Sequence, residues 1–213
     1  IGAVGLFLQK KRYVLHVLDD EGIPVDKIKY TGVSVVKSTM PNSIKPHCKR
    51  IIETMLKTQS NSKTNAVITE IYDIFKQMSP EEIGVVTGIQ NLEAYTARCR
   101  GFETAKGTPW HVKAAYFYNM LLNKYNIDQK YEAISSGDKM KVLILEKPNK
   151  YNLDRIGFKY TYPKEFEEDF TIDYKTMFEK IIYSMVEDFY EPVGWSVRKP
   201  TESVKTELLD LFS

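Results

Sequence analysis

The chain has 213 residues, of which 43% are hydrophobic and 27% charged, and its formal net charge is only +2. That composition is ordinary for a folded globular protein with a sizeable core, and nothing global in it demands a nucleic-acid partner. Cys48 and Cys99 lie far apart with no CxxC between them and read as reduced thiols of a cytosolic protein, while no apolar run reaches membrane-spanning length.

Ile1 to Leu8 is apolar and begins without an initiator Met, as though the sequence continues from something upstream. Arg12 to Leu18 is rich in apolar and aromatic residues and predicts a strand. The turn-like stretch Asp19 to Pro24 follows, and Lys27 to Val36 predicts a second strand, giving an antiparallel hairpin with a long connection. Ser38, Thr39 and Pro41 signal a helix start, behind which Ile44, Cys48, Ile51, Ile52, Met55 and Leu56 recur at helical spacing.

The polar stretch Thr58 to Asn65 reads as a loop, and Val67, Ile68, Ile71, Ile74, Phe75 and Met78 as the stripe of another helix. Ser79-Pro80-Glu81-Glu82 is a capping box with Pro at the first helical position. Arg98 to Lys113 is a basic loop punctuated by glycine. It runs into a helix over Trp110 to Tyr125 with Val112, Ala115, Tyr116, Met120 and Leu121 facing inward. Lys139 to Glu146 predicts a short buried strand. Thr171-Ile172-Asp173 caps a last helix carrying Met177, Phe178, Ile181, Ile182, Met185, Val186 and Phe189 on one face. The expected fold class is α+β, mainly helical, opened by an antiparallel strand pair and holding a few short strands.

Candidate chemistry is sparse. Three histidines (His16, His47, His111) and two cysteines are too few and too scattered for a zinc site. No GxSxG, Walker or GxGxxG motif occurs, and no acid stands on an apolar strand beside a second one, as a two-metal phosphoryl-transfer centre needs. Binding chemistry is easier to find. Residues 1–50 hold nine Lys/Arg against four acids, whereas residues 161–191 hold nine acids against three lysines. A molecule so polarised can take a polyanion at one end, although two solvated faces account for the same pattern.

Three segments suit phosphates. Lys10, Lys11 and Arg12 enter the first strand with Tyr13 beside them, offering cations, a ring and a hydroxyl to a DNA backbone or minor groove, although by pattern alone a surface-exposed strand start is the better account of so short a basic run. Ser38 and Thr39 precede a helix start, where free amides favour anions, and N-capping alone would explain them equally well. Lys106, Gly107, Thr108, His111 and Lys113 surround a second helix start, which an ordinary loop with Trp110 packed in the core would also explain. Their combination in a chain without a catalytic motif favours a nucleic-acid clamp over an enzyme.

On these residues the chain resembles the C-terminal region of the family B DNA polymerases, specifically the T-even-type phage branch. LQKKRYVLHVLDDEG is similar to that family's KKRY motif, GVSVVKSTMP to its palm-to-thumb junction, and KGTPWHVKAAYFYNMLL to a thumb helix. TIDYKTMFEKIIYSMVEDFYEPVGW resembles the last thumb helix, and LLDLFS the short tail that holds a sliding clamp. The resemblance implies a palm strip over 1–40, a thumb over 41–197 and a clamp-binding tail over 198–213. It implies that Lys10, Lys11, Arg12 and Tyr13 contact DNA near the primer terminus. Ser38, Thr39, Lys106, Thr108, His111 and Lys113 would touch the backbone, and Leu208, Leu209, Leu211 and Phe212 would enter the clamp.

The family's metal-binding motifs, exonuclease carboxylates and fingers lysines do not occur here. The resemblance therefore implies part of a DNA-directed DNA polymerase, a nucleotidyltransferase not active alone. It has no cofactor of its own, Mg2+ being expected only with a palm elsewhere. It reads as an excised piece or as the C-terminal product of a split gene. The implied partners are primer–template DNA, the remainder of the polymerase and a sliding clamp, with no membrane, in the cytoplasm of a phage-infected bacterium. A protein-interaction module acting mainly through the tail is the alternative.

Overall fold

The computed structural model describes residues 3–197. In chain order its strands are β1 (Ala3–Gln9), β2 (Arg12–Asp20), β3 (Ile23–Thr31), β4 (Val85–Gly88), β5 (Lys139–Ile144) and β6 (Arg155–Phe158). Its α-helices are α1 (Lys45–Thr58), α2 (Asn61–Phe75), α3 (Pro80–Ile83), α4 (Leu92–Thr96), α5 (Trp110–Lys124), α6 (Tyr174–Phe178) and α7 (Ser184–Tyr190). A π-helical turn, Glu179–Tyr183, lies between the last two. The chain is α+β. The described residues separate into two compact units, one formed by 3–77 with 178–197 and the other by 78–177.

The first unit opens with a three-stranded antiparallel sheet in the order β1-β2-β3. Two differences from the expected strand pair stand out. The apolar opening of the chain is itself a strand: Ala3–Gln9 pairs along β2 from Ala3↔Val17 to Gln9↔Arg12. The long connection between β2 and β3 is instead a two-residue turn, because the strands run on to Asp20 and restart at Ile23. Glu21 and Gly22 take φ of 55° and 86°, the left-handed pair whose twist matches that of the flanking strands. The strand expected to reach Val36 ends at Thr31, and Ser34–Val36 is a 3-10 turn rather than sheet.

Helix α1 covers one face of this sheet. Val14 is fully buried there and Tyr30 reaches α1, its hydroxyl donating to Glu53 Oε1 at 3.3 Å. The helix begins at Lys45, with Pro46 in its first turn, rather than at Ser38. Its inward stripe is as expected: Cys48, Ile51, Ile52, Met55 and Leu56 are all buried. The loop expected over Thr58 to Asn65 shrinks to Gln59 and Ser60. Gln59 stops α1 in the left-handed conformation, and the Ser60 hydroxyl accepts from the Lys63 N–H to start α2. Polar Asn61 to Asn65 is thus helical, with Asn65 donating to Asn61 Oδ1 one turn back at 2.7 Å. Phe178 closes the core of this unit by meeting Tyr72, Phe75 and Tyr183 edge-on.

The second unit holds the antiparallel sheet β4-β5-β6, whose central strand is the one expected from Lys139 to Glu146. Its α3 carries the expected capping box, the Ser79 N–H donating to Glu82 Oε2 at 2.8 Å. Helix α5 packs against β6 at Gly157, where an added Cβ would lie 3.3 Å from the Ala114 backbone and 2.7 Å from Met140 Sδ. Its buried face is wider than expected. Ala114, Phe117, Tyr118 and Leu122 join Val112, Ala115 and Leu121, while Tyr116 and Met120 are only half-buried. Phe166, with no exposed surface, sits among the rings of Tyr118, Tyr125, Tyr162 and Phe170. Tyr174 opens α6 after Asp173, whose Oδ1 accepts from the Thr176 N–H at 2.8 Å.

Candidate nucleic-acid interface

Lys10 and Lys11 form the tip of the β1–β2 hairpin rather than the start of a strand. The register shifts between Phe7 and Gln9, and Lys11 adopts φ of 64°. A non-glycine residue in that region carries strain of roughly 1–2 kcal/mol, so a lysine stands where glycine or asparagine would be easier. Both lysines are exposed, and neither has an ion-pair partner among the described residues. Gly32 presses on this tip from the far end of β3. Its φ is 64°, and a Cβ there would stand 2.2 Å from the Lys11 carbonyl oxygen.

Arg12 behaves differently. Its guanidinium donates to Asp188 Oδ2 at 2.7 Å, with the two side chains 26% and 46% exposed, and its Nε is buried without a partner. The acid-rich C-terminal segment therefore meets the basic N-terminal one at this pair. Tyr13 is half-buried, its ring tilted 34° to that of Phe7 at 5.7 Å.

Further along the covered sheet face, His16 is 8% exposed and its Nε2 lies 2.7 Å from Asp26 Oδ1. Lys57 donates to the other oxygen of Asp26 at 2.8 Å. The Lys57 ammonium, and after it His16, hold the Asp26 carboxyl below the usual range. Ser38 and Thr39 are exposed in a turn six residues and more before α1, so no helix N-terminus stands behind them.

The remaining candidates belong to the second unit. Lys106 is exposed beside Gly107, which has φ of 84°. The Thr108 hydroxyl is buried and donates to the Ala105 carbonyl at 2.7 Å, so it holds the loop in shape. His111 and Lys113 lie in the first turn of α5 and are half-buried. Trp110 does not enter the core: it is 45% exposed, with the Arg155 guanidinium 5.0 Å from its ring centroid. Arg155, distant in sequence, brings a further cation to the start of α5. No local signal in the sequence points to it, because Arg155–Phe158 is not expected to form a strand.

The structure thus keeps Lys10 to Tyr13 as one locus in the first unit and Lys106 to Lys113 as another in the second. Leu208, Leu209, Leu211 and Phe212 lie outside the described residues. Among the described residues no group of His, Cys, Asp or Glu is placed to hold a metal ion, and no helix is long and apolar enough to cross a membrane. The chain matches no known family model and no curated protein.

Proposed function

We propose that this chain is the DNA-gripping C-terminal part of a replicative family B DNA polymerase, holding primer–template duplex through its backbone and minor groove. The observation that carries the reading is the β1–β2 tip. Two adjacent lysines project from a tight turn into solvent, one of them in a strained conformation, and no carboxylate among the described residues neutralises them. A turn can present both cations outward together, which a strand cannot. Such paired cations suit phosphates, and the neighbouring Arg12 is anchored to Asp188, which fixes the base of the tip.

The second locus, Lys106 with Lys113 around the start of the 15-residue α5, supports the reading as a further place to hold the DNA backbone. Nucleotide chemistry and its Mg2+ would then belong to carboxylates outside this chain, and the tail from residue 198 onward would serve a sliding clamp.

The test is fluorescence anisotropy of a labelled primer–template duplex across a salt series. Wild type should bind at low salt, and Lys10→Ala/Lys11→Ala should lower the log–log salt slope by roughly 1.8, about 0.9 for each phosphate no longer neutralised. Absence of binding at low salt, or an unchanged slope in the double variant, would end this proposal.

A further inference from the structure

The sheet of the first unit has a second face that α1 does not cover. Its registers bring Phe7 beside Tyr13 and Thr31, and Gly5 beside Leu15 and Lys29. The next register aligns Ala3 with Val17 and Lys27. Directly paired residues share a face, so these positions project together.

Phe7 is 67% exposed, more than any other bulky apolar side chain among the described residues apart from Tyr160. Its ring lies back along the strand rather than standing upright. A Cβ built on Gly5 would meet Phe7 Cε2 at 3.0 Å and Cζ at 3.4 Å, so the ring occupies the space that Gly5 leaves. Leu15 Cδ2, 2.6 Å from the same point, supports it from the next strand. The result is an exposed ring folded back over Gly5, with Tyr13 beside it. Lys27 and Lys29 are exposed on the third strand and have no ion pair among the described residues. No carboxylate stands in these registers.

We propose that this outward face binds single-stranded nucleic acid, with unpaired bases stacking on Phe7 and Tyr13 while Lys27 and Lys29 take the phosphates. Two features select that occupant. An exposed aromatic ring offers a π-face that an unpaired base can cover, whereas a duplex hides its base faces everywhere but at its two ends. The cations lie on β3, two strand spacings of roughly 4.8 Å from Phe7 and one from Tyr13, so that bases can lie toward one side and phosphates toward the other. An apolar protein partner would not need two unpaired lysines on the face it covers. This site borders the duplex-binding locus, with Tyr13 common to both, and takes its phosphates on Lys27 and Lys29 rather than on the tip lysines.

The experiment titrates the full chain against fluorescein-labelled dT12 and, in parallel, a blunt 20-base-pair duplex. Wild type should bind dT12 with an affinity that falls as salt rises. Phe7→Ala should weaken it by about fivefold or more, the loss expected for one stacked base. Lys27→Glu/Lys29→Glu should flatten the salt slope, and Gly5→Val, which evicts the ring from its bed, should reproduce the Phe7→Ala loss. Duplex binding should stay unchanged in Phe7→Ala and Gly5→Val, and circular dichroism confirms that every variant remains folded. Equal dT12 affinity for wild type and Phe7→Ala overturns the proposal, as does no dT12 binding at low salt. So does a Phe7→Ala protein that loses self-association in sedimentation while keeping its dT12 affinity.

Discussion

Replacing Lys11 by glycine separates what the hairpin tip does for stability from what it does for binding. Lys11 has φ of 64°, a region that costs an L-residue roughly 1–2 kcal/mol. Glycine enters it freely but loses about 0.5–1 kcal/mol more backbone entropy on folding. The side chain is exposed and unpaired, so its removal forfeits little packing. The expected net effect is a gain of about 0.5–1 kcal/mol. With a urea slope near 2 kcal/mol/M, that moves the midpoint up by roughly 0.25–0.5 M. The same substitution removes one cation, so the salt slope for duplex binding should fall by about 0.9. Urea titration followed by circular dichroism and anisotropy on one protein preparation read the two effects together. A Lys11→Gly protein that is less stable than wild type, with duplex binding intact, would refute both halves of the reasoning.

Gly32→Ala should act in the opposite direction. It places a Cβ 2.2 Å from the Lys11 carbonyl at φ of 64°, and a loss of roughly 2–4 kcal/mol is expected in the same urea titration. Phe166→Ala empties the centre of the aromatic cluster in the second unit and should cost about 3–5 kcal/mol, seen as a lowered midpoint for that unit. Asp26 gives a pH dependence. Its carboxyl is held low by Lys57 and then His16, so its contribution is complete above the unfolded carboxylate range and disappears as pH falls through the lower folded value. Unfolding midpoints measured from pH 5 down to pH 2 should therefore drop more steeply in wild type than in Asp26→Asn.

Much of the helical architecture is legible because its apolar residues keep helical spacing. The stripes of α1 and of the last helix are buried residue for residue as expected. Strand β1 escapes a reading of the letters for a physical reason: AVGLFLQ has no polar alternation, although the structure exposes every second residue of it. Alternating burial with an apolar outer face leaves no periodic trace. The start of α2 is hidden because Asn61 to Asn65 bond to each other and to Ser60, so polar composition conceals a capped first turn. Ser38 and Thr39 carry a genuine capping composition, but the chain spends it on a turn, and Pro46 rather than Pro41 enters the first turn of α1.

At the candidate site, the letters identify the cations but not their presentation. Lys10, Lys11 and Arg12 look equivalent in sequence. In the fold two become a free tip and the third an ion pair with a residue 176 positions away. Such long-range pairing has no local signature. The same holds for Arg155 over Trp110, which only the meeting of β6 with α5 creates.

The π-helical turn at Glu179–Tyr183 sets the phase of everything after it. Phe178, Ile182, Val186 and Tyr190 are all buried yet spaced by four, an interval that overshoots an α-helical turn by about 40° each time. The wider turn absorbs that drift, as a leap day corrects a calendar, and keeps the inner row aligned. It thereby also fixes the compass bearing of Asp188, so the grip on Arg12 depends on one loosened coil several residues upstream.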